Sequence, residues 1–114
     1  MIVYIAGPMS IGPWEHNMRQ AIDAAADVLD RGHTPIVPHL WYIMALVHPD
    51  SLTHERCIQA DLELVRASQA LIRLPGTSVG ADYEVEVAMN AGIPVYHSTI
   101  EWSVALREAE YGKV

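Results

Sequence analysis

The sequence predicts an α/β fold: a small doubly wound parallel sheet, flavodoxin- or Rossmann-like, of four to five strands with helices on both faces. Three observations predict it. Short β-rich runs alternate with segments of helical period in the order βαβααβαβα, and such alternation makes a parallel sheet covered on both sides. A length of 114 residues suits one compact domain, residues 1–114, with one core. A content of 51% hydrophobic and 18% charged residues supplies that core, and no internal repeat or low-complexity segment interrupts it.

The first strand is Ile2 to Ala6, closed by Gly7-Pro8, and "GPMSIGP" after it has loop composition. Over residues 14–31, Met18, Ile22, Ala25 and Leu29 recur at helical spacing opposite Glu15, Arg19, Asp23 and Asp30, and Gly32 stops the helix. "TPIVP" reads as the second strand, and "HLWYIMALVHPD" as a short apolar helix ending at His48-Pro49. Ser51 is placed to cap the next helix, which runs to about Ala67. "QALIRL" is the third strand, "PGTSVG" a loop, residues 81–91 a helix stopped by Gly92, and "IPVYH" the fourth strand. Ser98 or Thr99 caps a last helix reaching about Glu110.

Composition removes several function classes. Cys57 is the only cysteine, so an internal disulfide and a zinc ribbon are both excluded. A formal charge of −7 argues against a nucleic acid polymer as partner, since that needs a basic footprint on the phosphates. No apolar run approaches the ~20 residues that span a bilayer, so no membrane partner is expected. "MIVYIAGP" lacks a basic leader and reads as a strand rather than a signal peptide, which makes the expected location cytoplasmic. His16, His33, His39, His48 and His97 fall at no recognised metal spacing, and His48, Asp50 and His54 lack an HEXXH-like signature. Neither a metal nor an organic cofactor is expected.

Ligands of such folds bind beyond the carboxyl ends of the strands where strand order reverses, which directs attention to "GPMSIGP" and "PGTSVG". Neither has the rhythm of a dinucleotide fingerprint or a P-loop. Carboxylates near them stand out. Glu84 shares a helix stripe with Gly80, Ala81, Val87, Ala88 and Ala91, small residues that let a helix lie close to a sheet. A carboxylate there borders a cleft or pays desolvation, unless it is only an acid favoured by the helix N-terminus. Glu86, with Asp82 and Asn90, is a solvated group. Asp61 has apolar helical neighbours in Cys57, Ile58, Leu64 and Val65, whereas Glu63 faces Gln59 and Arg66. His54, two turns earlier, is a ligand group or a helix-start residue. Two inward carboxylates on helices flanking one strand suit acid/base or nucleophilic work at a sugar carbon. Tyr4 lies near the carboxyl end of the first strand, where its hydroxyl could reach a ligand. Trp41, Tyr42 and Met44 read as core or subunit contacts.

"VYIAGPMS" and "SVGADYEVEVAMNAGIPV", the latter with the pattern Gly-Ala-x-x-Glu-x-x-x-Ala-x-x-x-Gly-x-Pro, together resemble the nucleoside 2-deoxyribosyltransferase superfamily, which includes 2'-deoxynucleoside 5'-monophosphate N-hydrolases. The likeness runs from Ile2 to about Val95. It implies that Glu84 is the nucleophile on the anomeric carbon, that Tyr4 orients it, and that Asp61 contacts the sugar or helps protonate the leaving base. It also implies that Gly7 and Ser10 shape the sugar and 5' end. Ser78 matches the serine with which the monophosphate hydrolases bind phosphate, where the transferases carry an aspartate; Gly80 at the helix start would add backbone N–H groups. The chain departs from the hydrolases at Ser10, where they carry an arginine, and at Ser68, where an acid is common before the third strand. "LPGTSVGADYE" is also similar to the glycine-rich motif of the cytokinin riboside monophosphate phosphoribohydrolases, one residue longer here.

Both resemblances imply cleavage or transfer of the N-glycosidic bond of a (deoxy)nucleoside or its 5'-monophosphate. The rival is a non-catalytic nucleotide-binding or sensing module on the same fold. A homodimer or higher homo-oligomer is expected, because "LWYIMALV" and the last helix, with Trp102 and Leu106, carry more apolar surface than a small domain hides. The superfamily resemblance implies the same, with a neighbouring subunit completing each site.

Overall fold

The computed structural model describes residues 1–112. Its elements are β1 (Ile2–Ala6), α1 (Trp14–Asp30), β2 (Thr34–Ile36), α2 (Leu40–Val47), α3 (His54–Ala67), β3 (Ala70–Arg73), α4 (Val79–Asn90), β4 (Val95–Tyr96) and α5 (Thr99–Tyr111). The four strands form one parallel sheet in the order β2-β1-β3-β4. Val3 to Ala6 pair in register with Ala70 to Arg73, so β1 and β3 end level with each other. Strand order reverses between these two, which puts the switch point at the loops that follow them.

Two cores lie on either side of this sheet. Val3, Ile5, Ala70 and Ile72 face Ala21, Ala24 and Val28 of α1 and Trp102 of α5. Tyr4, Ala6 and Leu71 face Val65 of α3 and Ala81 and Ala88 of α4. The alternation of side chains along β1 thus sends Tyr4 to the α3–α4 side.

Several expectations are corrected. The inner face of α1 carries Asn17, Met18, Ala21, Ala24 and Val28, while Ile22 and Leu29 are exposed. The alanine stripe wins because small side chains bring the helix closer to the sheet than Ile22 and Leu29 would. Trp102, expected on an association surface, is 1% exposed in the core, with Leu106 packed beside it. Thr53 rather than Ser51 caps α3 by accepting the Arg56 N–H. Helix α4 starts two residues early at Val79, because Ser78 caps it, and its small-residue stripe ends at Ala88, with Ala91 exposed. Strands β2, β3 and β4 are shorter than read, since only the pairing residues qualify.

Candidate active site

A cavity of about 730 Å³ opens at the carboxyl ends of β1 and β3, within the range of small-molecule sites. Its walls include Gly7 and Ser10 from the first loop, Ser78 and Gly80 from the start of α4, Glu84 from α4 and Asp61 from α3. Six of the seven residues singled out in the sequence therefore share one cavity. The seventh, Tyr4, does not line it. Tyr4 is fully buried in the sheet and its hydroxyl donates a hydrogen bond to Glu84 Oε2; its route to a ligand is through Glu84, because the residue lies two positions short of the strand end.

The electrostatics follow from burial. Burial raises Glu84 to about 7, with the Asp61 charge adding to the rise while the Tyr4 bond and the Arg73 charge oppose it. Asp61 is raised to about 6 by burial, against the hydrogen bond from Trp41 and a lesser effect of the Tyr4 hydroxyl, both of which favour the ionised form. The Tyr4 hydroxyl is driven far above its ordinary value by burial, then by Glu84 and Asp61, so it remains a donor. Two carboxylates that titrate near neutrality beside one phenol form a unit able to hold or release a proton at working pH. Glu86, two residues along the same helix, is exposed.

The loops are fixed from several sides. Asn17, 3% exposed, donates from Nδ2 to the Met9 and Ile11 carbonyls at 3.2 and 2.9 Å. Gln20 Nε2 donates to the Pro75 carbonyl at 3.0 Å. Arg73, at the end of β3, donates to the carbonyls of Leu74 and Gly76 and pairs with Asp82 Oδ1 at 3.0 Å. Gly76 has φ +117°, and a Cβ there would meet Pro8 Cγ at 2.7 Å, so the two loops touch at a point only glycine allows. Ser78 Oγ accepts the Ala81 N–H at 3.1 Å. A serine hydroxyl that accepts at a cap still has its own O–H to donate.

Sequence reading missed four contributors. Trp41 lines the cavity and its Nε1 donates to Asp61 Oδ1 at 2.8 Å. His39 is 1% exposed at the cavity, with neither ring nitrogen at hydrogen-bond geometry to a partner; burial lowers its pKa, against a weaker contrary effect of the Pro8 carbonyl. Asn17 and Arg73 hold the loops. Only Trp41 carried a signal, as an aromatic beside the loop ends. His54 begins α3 and lines the cavity. Among the described residues, no group of three or more His, Cys, Asp or Glu could hold a metal ion, and no helix is long and apolar enough to cross a membrane.

Residues 1–98 match the model of a family described as a domain of unknown function, DUF7768. The chain belongs to this family. No curated protein matches it. Among solved structures it is similar to a 2-deoxyribosyltransferase from the psychrotolerant bacterium Bacillus psychrosaccharolyticus, a biocatalyst for nucleoside synthesis, with TM-score 0.66 and 20% identity over 83% of this chain and 69% of that one. At that identity the shared property is the fold, and this DUF7768 chain has the parallel Rossmann-like sheet of that structure.

Proposed function

We propose that the protein cleaves or transfers the N-glycosidic bond of a nucleoside or nucleoside 5'-monophosphate, 2'-deoxyribose included, with Glu84 as nucleophile. The observation that carries this reading is the Tyr4 hydroxyl bonded to Glu84 in a buried pocket that Asp61 shares. An ionised Glu84 attacks C1', the C1'–N bond breaks, and its electron pair leaves with the base, which takes a proton from Asp61. Water, or a second base, then attacks C1' of the ester, returning Glu84 as carboxylate and giving its proton to Asp61. Burial makes the ionised Glu84 a better nucleophile than a hydrated carboxylate, but with Glu84 raised to about 7 and Asp61 to about 6 the reacting form, Glu84 ionised and Asp61 protonated, is the minor one of the two singly protonated forms of the pair. Ser78 and the N–H groups at the α4 start are suited to the 5' end, as a hydroxyl donor and a helix N-terminus.

The working unit in this reading is a homodimer. Charge repulsion between copies of a chain of net charge −7 is least at an uncharged face, and among the described residues α2 is the one helix of the five without a charged residue. None of its residues is buried.

The test is a panel of ribo- and deoxynucleosides and their 5'-monophosphates, with free base measured by chromatography alongside a thermal-shift screen. Base release, fastest with a monophosphate, is expected. Thermal shifts without release from any substrate would replace the enzyme with a nucleotide-binding module.

A further inference from the structure

Trp41 has a role in the cavity that neither the fold nor the resemblance assigns. Its indole Nε1 donates to Asp61 Oδ1 at 2.8 Å, a hydrogen bond that ties α2 to α3 across the cavity wall. An indole N–H only donates, so this bond holds whether Asp61 is ionised or protonated. The oxygen receiving it keeps carbonyl character, which leaves Oδ2 to carry the proton. We propose that Trp41 is a positioning residue that fixes the carboxyl of Asp61 with its proton on Oδ2, ready for transfer to the departing base; this rests on the proposed glycosidic chemistry.

The surroundings of Asp61 favour this assignment. The titratable groups coupled to it are Tyr4 from β1, Glu84 from α4 and Cys57 from its own helix, and His39, Tyr42, His54 and Tyr83 line the same cavity. Tyr4 has a single proton, and it is committed to Glu84. Trp41 is thus the donor at hydrogen-bond geometry to Asp61. Its bond also opposes the burial that raises Asp61, so it sets how readily the proton leaves as well as where it sits.

Trp41→Phe keeps a large ring against the cavity and removes only the donor. With natural nucleosides kcat should fall about tenfold or more, a part of the 10²–10⁴ that general acids contribute. With a 4-nitrophenyl 2-deoxyriboside, whose leaving group needs no proton, the loss should stay below about threefold. The acid limb of the pH profile, set by Asp61 at about 6 beneath Glu84 at about 7, should move upward, since the lost bond favoured the ionised form. In an Asp61→Asn background Trp41→Phe should cost nothing further. Independently of activity, the Trp41 indole N–H resonance should titrate with a midpoint near 6 in wild type and not in Asp61→Asn.

Equal losses on both leaving groups, an unmoved acid limb or an indole resonance that ignores Asp61 would overturn the positioning role while leaving the function standing. A wild type that releases no base from either substrate would overturn the function itself, and the acid role with it.

Discussion

On the β1–β3 side of the cavity the polar groups are tied to neighbours: Tyr4 to Glu84, Arg73 to Asp82 and two carbonyls, Ser78 to the start of α4, Asn17 to the first loop. Across from it, α2 buries no side chain and meets the rest of the chain through Trp41–Asp61 and a stack of Tyr42 on Trp14, ring centroids 6.4 Å apart. The first wall takes the partners of its polar groups from its own chain. The second is apolar, uncharged and open, which is how a surface looks when its partner is another molecule. The difference is between groups held by their own chain and an uncovered face, and Trp41 is the link between the two.

The largest effect belongs to the β1–β3 side. Glu84→Gln keeps the shape and still accepts the Tyr4 hydroxyl, but an amide oxygen is a poor nucleophile; glycosidic activity should fall by about 10³-fold or more. Glu86→Gln, on the same helix and exposed, should stay within about twofold. Base-release rates of the two variants measured side by side check this, and similar losses in both would break the contrast between the inner and outer faces of α4.

That contrast was readable from the sequence because both carboxylates sit on a regular helix, where neighbours three and four apart define the environment. Ala81 and Ala88 are buried as the stripe requires, and Glu84 lies between them. The sequential order of the elements and the two loops were legible for a similar reason, since Gly7-Pro8 and "LPG" end their strands sharply. What was not legible depends on tertiary approach. Helix α1 offered two apolar stripes, and only closeness to the sheet selects Ala21, Ala24 and Val28 over Ile22 and Leu29. Trp41 and Asp61 are 20 residues apart on different helices, and no periodicity links them. Arg73 sits in a strand, and its grip on the loop depends on the turn at Gly76.

A second effect concerns stability and sharpens the same side. Glu84 is raised from 4.5 to about 7 on folding, chiefly by burial. The folded state therefore binds the proton more tightly than the unfolded one, so this contribution is full below about pH 4.5 and is lost as pH rises through about 7. At pH 8 the buried charge costs on the order of 3 kcal/mol. Glu84→Gln should then unfold later than wild type at pH 8 and match it near pH 4, as read by denaturant midpoints at the two pH values. A variant less stable than wild type at pH 8 would mean that the Tyr4 bond to the charged carboxylate outweighs its desolvation.

The smallest effect tests the open side. Leu46 is 72% and Val47 71% exposed at the end of α2, and covering such a leucine is worth roughly 1–2 kcal/mol. If α2 pairs with its copy across a two-fold axis, Leu46→Ala removes that contribution twice, once from each chain. The dimer should weaken by about tenfold for each copy, while Glu84, Tyr4 and Asp61 are untouched. Light scattering after gel filtration at a series of micromolar concentrations reads the shift directly. Wild type should run at twice 12.6 kDa and the variant should dissociate earlier on dilution, its loss of activity tracking the monomer fraction. Activity that follows dissociation would tie the α2 wall to the site through Trp41. A wild type that remains at the monomer mass with full activity would show that one chain suffices, and that α2 faces solvent for another reason.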